Sequence, residues 1–152
     1  MRARHRVRAA VNLANGSTAA GVLVARAGRA RLRRAGDGLL VAAGYQLPVP
    51  VAPAFCLGNV LVTRRGDGQF RAGQRLFAHE ARHATQYAWC GGLVMLPLYG
   101  CAALVSWTLT GDFGSRNVFE RQAGLADGGY SRKPLRAAYT KRRDWFQVRT
   151  GR

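Results

Sequence analysis

The sequence predicts an α+β fold, in which a small N-terminal antiparallel β-sheet is followed by a helical part. Short apolar runs bounded by glycine, proline or Asp-Gly fill residues 21–66, a texture typical of strands and hairpins. From Ala72 to Ala88, alanine, leucine, arginine and glutamine dominate, and these residues favour a helix. At 152 residues the chain is long enough to bury a core, and we expect a single domain whose helical part covers residues 70–129.

The positive charge is concentrated at the two ends of the chain. The formal net charge is +17, yet residues 35–129 hold seven basic and six acidic residues and are nearly neutral. Nine arginines and no acidic residue fall in residues 1–34, and eight basic residues accompany Asp144 alone in residues 130–152. We therefore interpret residues 1–20 as a basic arm and residues 130–152 as a basic tail.

This charge predicts attraction to anions rather than a dedicated nucleic-acid function. Residues 1–34 contain no interleaved aromatic side chains for base stacking, and no nucleic-acid-binding motif occurs. Of the 24 basic residues, 22 are arginine, a bias that a GC-rich genome also produces. We predict no specific nucleic-acid partner, and peripheral association with an anionic membrane stays open.

The N-terminal part contains three apolar runs that predict strands at Val22–Val24, Leu39–Val41 and Val60–Thr63. Turns are predicted at Gly28-Arg29 and at Gly36-Asp37-Gly38. Three prolines make residues 47–54 an extended segment or an edge strand. We expect three or four strands in one antiparallel sheet.

Residues 79–83 read His-Glu-Ala-Arg-His, an H-E-x-x-H pattern on the predicted helix, which Gly91-Gly92 is expected to end. Positions i and i+4 lie on one face, so His79 and His83 can offer two imidazole nitrogens to one metal ion. Glu80 lies about 100° round the helix and can reach a metal-bound water without binding the metal. The alternative is an amphipathic helix with partly buried histidines.

The other glutamate of the chain is the candidate third ligand. Glu120 lies in a short predicted helix that begins at Asn117, so both glutamates and two of three histidines fall where a two-His, one-Glu zinc site needs them. Alternatively, with Asn117 as N-cap, Glu120 is the N3 member of a capping-box-like pair. Ala123, one turn later, would let this helix approach the motif helix closely.

H-E-x-x-H followed by a glutamate on a later helix resembles the zincin metallopeptidases, in the gluzincin arrangement. A longer pattern, His79-Glu80-x-x-His83-x-x-Gln86-Tyr87 followed by Asn117-x-x-Glu120-x-x-Ala123, also resembles short bacterial H-E-x-x-H proteins of unassigned function. The resemblance covers roughly Gly58 to Tyr130. It implies a zincin-like helical part in which His79, His83 and Glu120 bind zinc. It also implies that Glu80 is the general base that activates water against a peptide or protein substrate.

The chain departs from the thermolysin-like pattern at two points. Glu120 follows His83 by 37 positions (120 − 83), a longer interval than in those enzymes. Gly124 stands where they carry an acidic residue that orients a ligand histidine, and Asp127, expected on the same helical face, is the nearest acidic substitute. Gln86, one turn after His83, and Asn117 are further candidates to support the ligands.

A peptidase also needs a donor for the oxyanion and a strand that aligns the substrate. Tyr99, Tyr130, Arg82 and Arg116 are candidate donors, and the sequence does not rank them. Zincins place an edge strand just before the motif helix, so the resemblance implies such an edge at Gly58–Arg64. An ordinary sheet strand is the alternative there.

Residues 84–111 contain no charged residue, and residues 93–109 are mainly apolar. This stretch is slightly short for a membrane span, and Pro97 and Gly100 interrupt it. One complete crossing would place His83 and Glu120 on opposite sides of a bilayer, where they could not share a metal. The zinc hypothesis therefore requires an apolar helix or hairpin that is buried or lies at a surface.

Cys56, Cys90 and Cys101 are odd in number and lack C-x-x-C spacing, so we expect buried free thiols in a reducing compartment. The N-terminus has no unbroken apolar run of the kind that signal peptides carry. We expect a cytoplasmic protein that is either soluble or membrane-associated. Trp145-Phe146 is expected to pack on the core.

Three functional classes follow. A zinc-dependent metallopeptidase is the first expectation. The second is a zincin-shaped protein that binds zinc, or only a partner, without turnover. The third is a basic module, associated with membrane or nucleic acid, in which the motif is accidental.

Overall fold

The computed structural model describes residues 2–66, 68–137 and 139. The elements in chain order are α1 (Ala3–Ala14), α2 (Ser17–Ala27), β1 (Arg31–Gly36), β2 (Leu39–Ala43), β3 (Ala54–Leu57), β4 (Val60–Thr63), α3 (Arg75–Trp89), α4 (Met95–Thr110) and α5 (Val118–Ala123). Within the described residues, a small four-stranded sheet and five helices confirm the predicted α+β class. The chain divides into two compact units, Met1–Pro97 and Leu98–Arg152.

The sheet of the first unit is mixed, so the prediction of an antiparallel sheet was wrong. Its strand order is β1-β2-β4-β3, with β2 and β4 parallel and the other two pairs antiparallel. Val60, Leu61 and Val62 of β4 are fully buried. A strand buried on both faces belongs inside a sheet. The expected substrate-aligning edge at Gly58–Arg64 is therefore also wrong, because β3 is the edge strand on that side.

The turn between β1 and β2 was correctly predicted. Asp37 and Gly38 have φ angles of 49° and 74°, and an Asp-Gly pair tolerates these positive values at the tip of a hairpin. Residues 47–53, expected to be extended or an edge strand, contain no strand and lead into β3 at Ala54.

The strand predicted at Val22–Val24 was wrong. Val22–Val24 lie in α2, and residues 3–20, which we interpreted as part of a basic arm, form α1, a turn and the start of α2. A short apolar run fits a strand or a buried helix equally well. Here Ala19, Ala20 and Ala25 favour the helix. Val22, Val24 and Ala25 of α2 then pack against the sheet.

A buried asparagine pair ties α1 to the motif helix α3. The Asn12 amide donates to Asn59 Oδ1 at 3.1 Å and to the Ala84 carbonyl of α3 at 2.8 Å. The Asn59 amide in turn donates to Thr18 Oγ1 of α2 at 2.9 Å. Both asparagines are almost completely buried, and buried polar groups that are paired in this way specify one arrangement of the elements around them.

The apolar stretch forms one helix, α4, and not a hairpin. Pro97 lies in its first turn, where a missing N–H is tolerated, and Gly100 does not interrupt it. In the described part of the chain, no helix has both the length and the apolarity that a membrane span requires.

The second unit continues from α4 through a polar loop to α5. Asp112 Oδ1 accepts the backbone N–H groups of Gly114 and Ser115 at 3.0 and 2.7 Å, and Lys133 lies 3.2 Å from Oδ2. Burial raises the pKa of Asp112, but these hydrogen bonds and Lys133 outweigh it, so the pKa lies below its usual range. This anchoring fixes the backbone that enters α5.

The three cysteines are free, and only Cys56 is fully buried, whereas Cys101 is exposed. The expectation of buried thiols therefore holds for Cys56 alone. Trp145, Phe146 and most of the basic tail lie outside the described residues.

Candidate metal centre

α3 carries the H-E-x-x-H residues on its buried side. The helix runs from Arg75 to Trp89, and Gly91 and Gly92 follow with positive φ, as the sequence predicts for its end. His79, Glu80 and His83 are all less than 10% exposed. Burying three ionisable side chains on one helix costs free energy unless they are paired or bind a ligand, so this face is a candidate site.

The two histidines converge through their Nε2 atoms. His79 Nε2 and His83 Nε2 are 3.0 Å apart, and the ring planes are nearly perpendicular at 87°. Tetrahedral coordination with Zn–N bonds of about 2.0–2.1 Å requires ligand nitrogens about 3.3 Å apart. The observed separation is therefore close to what a single metal ion needs.

Gln86 orients His83. Its Oε1 lies 2.7 Å from His83 Nδ1, and both side chains are buried. An amide oxygen only accepts, so Nδ1 carries the proton and Nε2 presents its lone pair. A hydrogen bond of this kind to the second ring nitrogen is the usual support for a metal-binding histidine.

Glu120 lies in α5, whose start is capped by Asn117. The Asn117 Oδ1 accepts the Phe119 N–H at 3.0 Å, while the Asn117 N–H donates to the Gly114 carbonyl. The backbone donor that a capping box would use is therefore bonded to Gly114. The Glu120 Oε1 instead accepts the Tyr99 hydroxyl at 2.5 Å.

Tyr99 acts on Glu120 as a neutral donor. Burial, followed by the negative charge of Glu120 and the hydrogen bonds with Glu120 and Tyr130, raises the pKa of Tyr99 far above its usual range. The hydroxyl therefore keeps its proton at neutral pH and orients the carboxylate. From the sequence, Tyr99 was predicted only as a candidate oxyanion donor. No local pattern pairs it with Glu120, which is 21 positions away.

One ligand atom of each of His79, His83 and Glu120 lies within 4.8 Å of the others, and all three residues are buried. They are close enough to bind a metal ion. Two imidazoles and a carboxylate are a donor set that zinc accepts, and that non-haem iron also accepts.

Glu80 is buried in α3, and this helix packs against the edge strand β3. Burial and then the charge of Glu80 raise the pKa of the Cys56 thiol in β3, while Arg8 lowers it. Burial, Cys56 and Glu80 likewise raise the pKa of Tyr87. The Glu80 carboxylate is thus within electrostatic reach of Cys56 and Tyr87, two neighbours that the sequence did not associate with it.

The remaining predicted site residues lie as follows. Arg82 is exposed on α3, and Arg116 is half-buried in the loop before α5. Asp127 is not on the helix of Glu120, because α5 ends at Ala123 and Gly124 turns the chain with a φ of 90°. The reason given for Asp127 as a ligand support, a shared helical face, was therefore wrong.

Tyr130 packs its ring against Gly114, where a Cβ atom would come within 2.4 Å of the ring. Glycine at this position therefore allows Tyr130 to approach the loop before α5, and its hydroxyl bonds with Tyr99.

No protein-family model, no curated protein and no solved structure matches this chain. The likeness to zincins therefore rests on the residues of the chain alone.

Proposed function

We propose that this protein is a zinc-dependent metallopeptidase. The observation that carries the proposal is the buried cluster of His79, His83 and Glu120, whose ligand atoms lie within 4.8 Å of one another. The hydrogen bonds that His83 donates to Gln86 and that Tyr99 donates to Glu120 support it, because ligands oriented in advance bind a metal more tightly.

Glu80, which follows the first ligand His79, favours zinc over iron. Both metals accept two histidines and a carboxylate, but the H-E-x-x-H spacing adds a carboxylate beside the ligand pair. When bound, a zinc ion supplies a Lewis acid that lowers the pKa of a water molecule to about 7. Glu80 would accept the proton of the attacking water and deliver it to the leaving amine.

The edge strand β3 is the proposed site of substrate alignment. β3 has a hydrogen-bonded neighbour, β4, on one side only, whereas β4 has a neighbouring strand on each side. An extended peptide can add to such an edge through main-chain hydrogen bonds. α3, which carries Glu80, packs against β3, so a peptide along β3 would lie beside the helix of the proposed general base.

A second candidate function is a closed zinc site without turnover. It is favoured by burial, because His79, Glu80 and Glu120 are each less than 5% exposed. Structural zinc sites are closed, whereas catalytic sites keep one position open to water.

The test is the metal content of the purified full-length protein, measured by elemental analysis together with the His79→Ala and Glu120→Ala variants. His5→Ala is the matched control, because His5 is the third histidine and pairs with Asp37 instead. We expect about one zinc per chain in the unmutated protein and in His5→Ala, and loss of zinc in the other two variants.

Hydrolysis of a quenched fluorescent peptide library would then separate the two candidates. Activity that chelation removes and zinc restores supports the peptidase, and zinc binding without any hydrolysis supports the closed site. Iron as the bound metal, no metal after reloading, or zinc retained by Glu120→Ala would each overturn the proposed centre.

A further inference from the structure

α4 turns a broad apolar side away from the protein. We call this set of exposed side chains the outer face of α4: Leu96, Leu98, Cys101, Leu104, Val105 and Trp107. At about 100° per residue, they cover about 200° of the helix circumference. Thr108 is also exposed, but its hydroxyl donates to the Val105 carbonyl at 2.9 Å, so this polar group is hydrogen-bonded within the helix.

A face of this kind is unusual on a protein surface in contact with water. Leu104 and Val105, in the middle of the helix, are 59% and 56% exposed. A single partner helix covers a stripe of about 100°, so an arc twice as wide exceeds what one helix can bury. Lipid chains are fluid and conform to an apolar surface of any width.

The opposite side of α4 packs on the protein, since Ala103 and Ser106 are buried. The outer face is therefore the side of α4 that is available to contact a bilayer. A helix that is packed on one side and apolar on the other suits an orientation parallel to a bilayer surface.

The C-terminal end of α4 carries the chemistry of a membrane interface. Trp107 stacks on the exposed Phe113 with ring centroids 6.1 Å apart, and the Arg136 guanidinium lies 5.1 Å from the centre of the Trp107 ring. Tryptophan favours the headgroup level of a bilayer, and arginine beside it can reach lipid phosphates.

The charge that follows α4 is complementary to an anionic surface. Residues 130–152 contain eight basic residues against Asp144 alone, and among the described ones Arg132 and Arg136 are exposed. Basic residues near an anionic leaflet are attracted to its headgroups.

We propose that the outer face of α4 docks on an anionic phospholipid bilayer. Its apolar side chains enter the boundary between headgroups and acyl chains, and the exposed Arg132 and Arg136 bind the headgroups. This inference is independent of the metal centre, because it rests on exposed side chains and charge alone.

The experiment is flotation of the full chain with two kinds of vesicle, phosphatidylcholine alone and a mixture of phosphatidylcholine with phosphatidylglycerol. Leu104→Glu and Leu98→Glu place a charge on the outer face at two different points. Leu23→Glu is the matched control, because Leu23 is a 65% exposed leucine on α2 and the change in net charge is the same.

We expect binding to the mixed vesicles that falls as salt is raised. Leu104→Glu and Leu98→Glu should each weaken it about tenfold or more, and Leu23→Glu should bind as the unmutated protein does.

Four results would overturn the proposal: no flotation with the mixed vesicles, equal binding to both kinds, equal weakening by Leu23→Glu, or no weakening by either α4 variant. Analytical ultracentrifugation without vesicles gives a fifth. A dimer that Leu104→Glu converts to a monomer would show that a second copy covers the outer face.

Discussion

α3 and α4 are consecutive helices of 15 and 16 residues, and both reverse the usual distribution of polarity, α3 on its buried side and α4 on its exposed side. α3 buries His79, Glu80, His83 and Gln86, whereas α4 exposes leucine, valine and tryptophan side chains. A helix of a water-soluble protein normally buries its apolar side and exposes its polar side. The reversal differs in meaning between the two: polar groups inside α3 indicate chemistry, and apolar groups outside α4 indicate a surface for docking.

The largest expected effect concerns the polar interior of α3. Glu80→Gln removes the general base but keeps the size of the side chain. We expect hydrolysis to fall about 10²–10⁴-fold while zinc remains bound, because Glu80 is not a ligand in the proposed centre. The measurement is kcat/KM for a cleaved peptide together with zinc content, with the exposed Thr85→Ala variant as control. Full activity of Glu80→Gln would remove Glu80 from the mechanism.

The next effect tests the orientation of α4, through two consecutive residues of which one is buried and the other exposed. Ala103 is 9% exposed and Leu104 is 59% exposed. Ala103→Glu should lower the free energy of unfolding by about 3 kcal/mol or more, because it buries an unpaired charge. Leu104→Glu should change it by about 0.5 kcal/mol or less. Urea unfolding measures both, and equal effects would contradict the burial pattern of α4.

A smaller effect is expected from the residues that orient the ligands. Gln86→Leu and Tyr99→Phe each remove one hydrogen bond to a ligand, and zinc affinity should fall about 10–100-fold. Competition with a chromophoric chelator measures that affinity. Tyr45→Phe is the matched control, because Tyr45 donates to the Val49 carbonyl in the first unit. An unchanged affinity in both ligand-support variants would mean that the two hydrogen bonds serve packing only.

The smallest effect concerns Asp112, in the loop that follows α4. Asp112→Asn removes the charge that accepts two backbone N–H groups and faces Lys133, so the free energy of unfolding should fall by about 1 kcal/mol at pH 7. Because the folded pKa of Asp112 is lowered, this stabilisation exists above the unfolded pKa of about 3.9 and is lost as pH falls through the folded value. Urea titrations of the unmutated protein and the variant should therefore differ most at pH 7, and the difference should shrink as the pH falls below about 3.9.

Predictions that depended on neighbouring residues agree well with the structure. The motif helix, the strands at Leu39 and Val60, the Asp37-Gly38 turn and the Asn117 cap all follow from spacing, propensity or capping within a few positions. The candidate ligands His79 and His83 belong to the same group, because a helix alone brings positions i and i+4 together.

Predictions that depended on distant packing were less successful. Val22–Val24 became helical because α2 can bury its valines and Ala25 against the sheet. β4 became an interior strand because Val60 to Val62 are buried on both faces, and this placed β3 at the edge. Neither choice is encoded in the local residues, since a short apolar run suits a helix, an edge strand or an interior strand.

The sequence by itself determined the motif helix, its two histidines and its general-base candidate, because these depend on helical periodicity. It also determined the separation of charge between the flanks and the middle of the chain. Only the tertiary structure decided that Glu120 lies beside the histidines with Tyr99 as its donor, that β3 is an edge strand packed against α3, and that one side of α4 stays exposed. Such contacts join residues far apart in the chain, and burial of the whole core selects among the arrangements that local preferences allow.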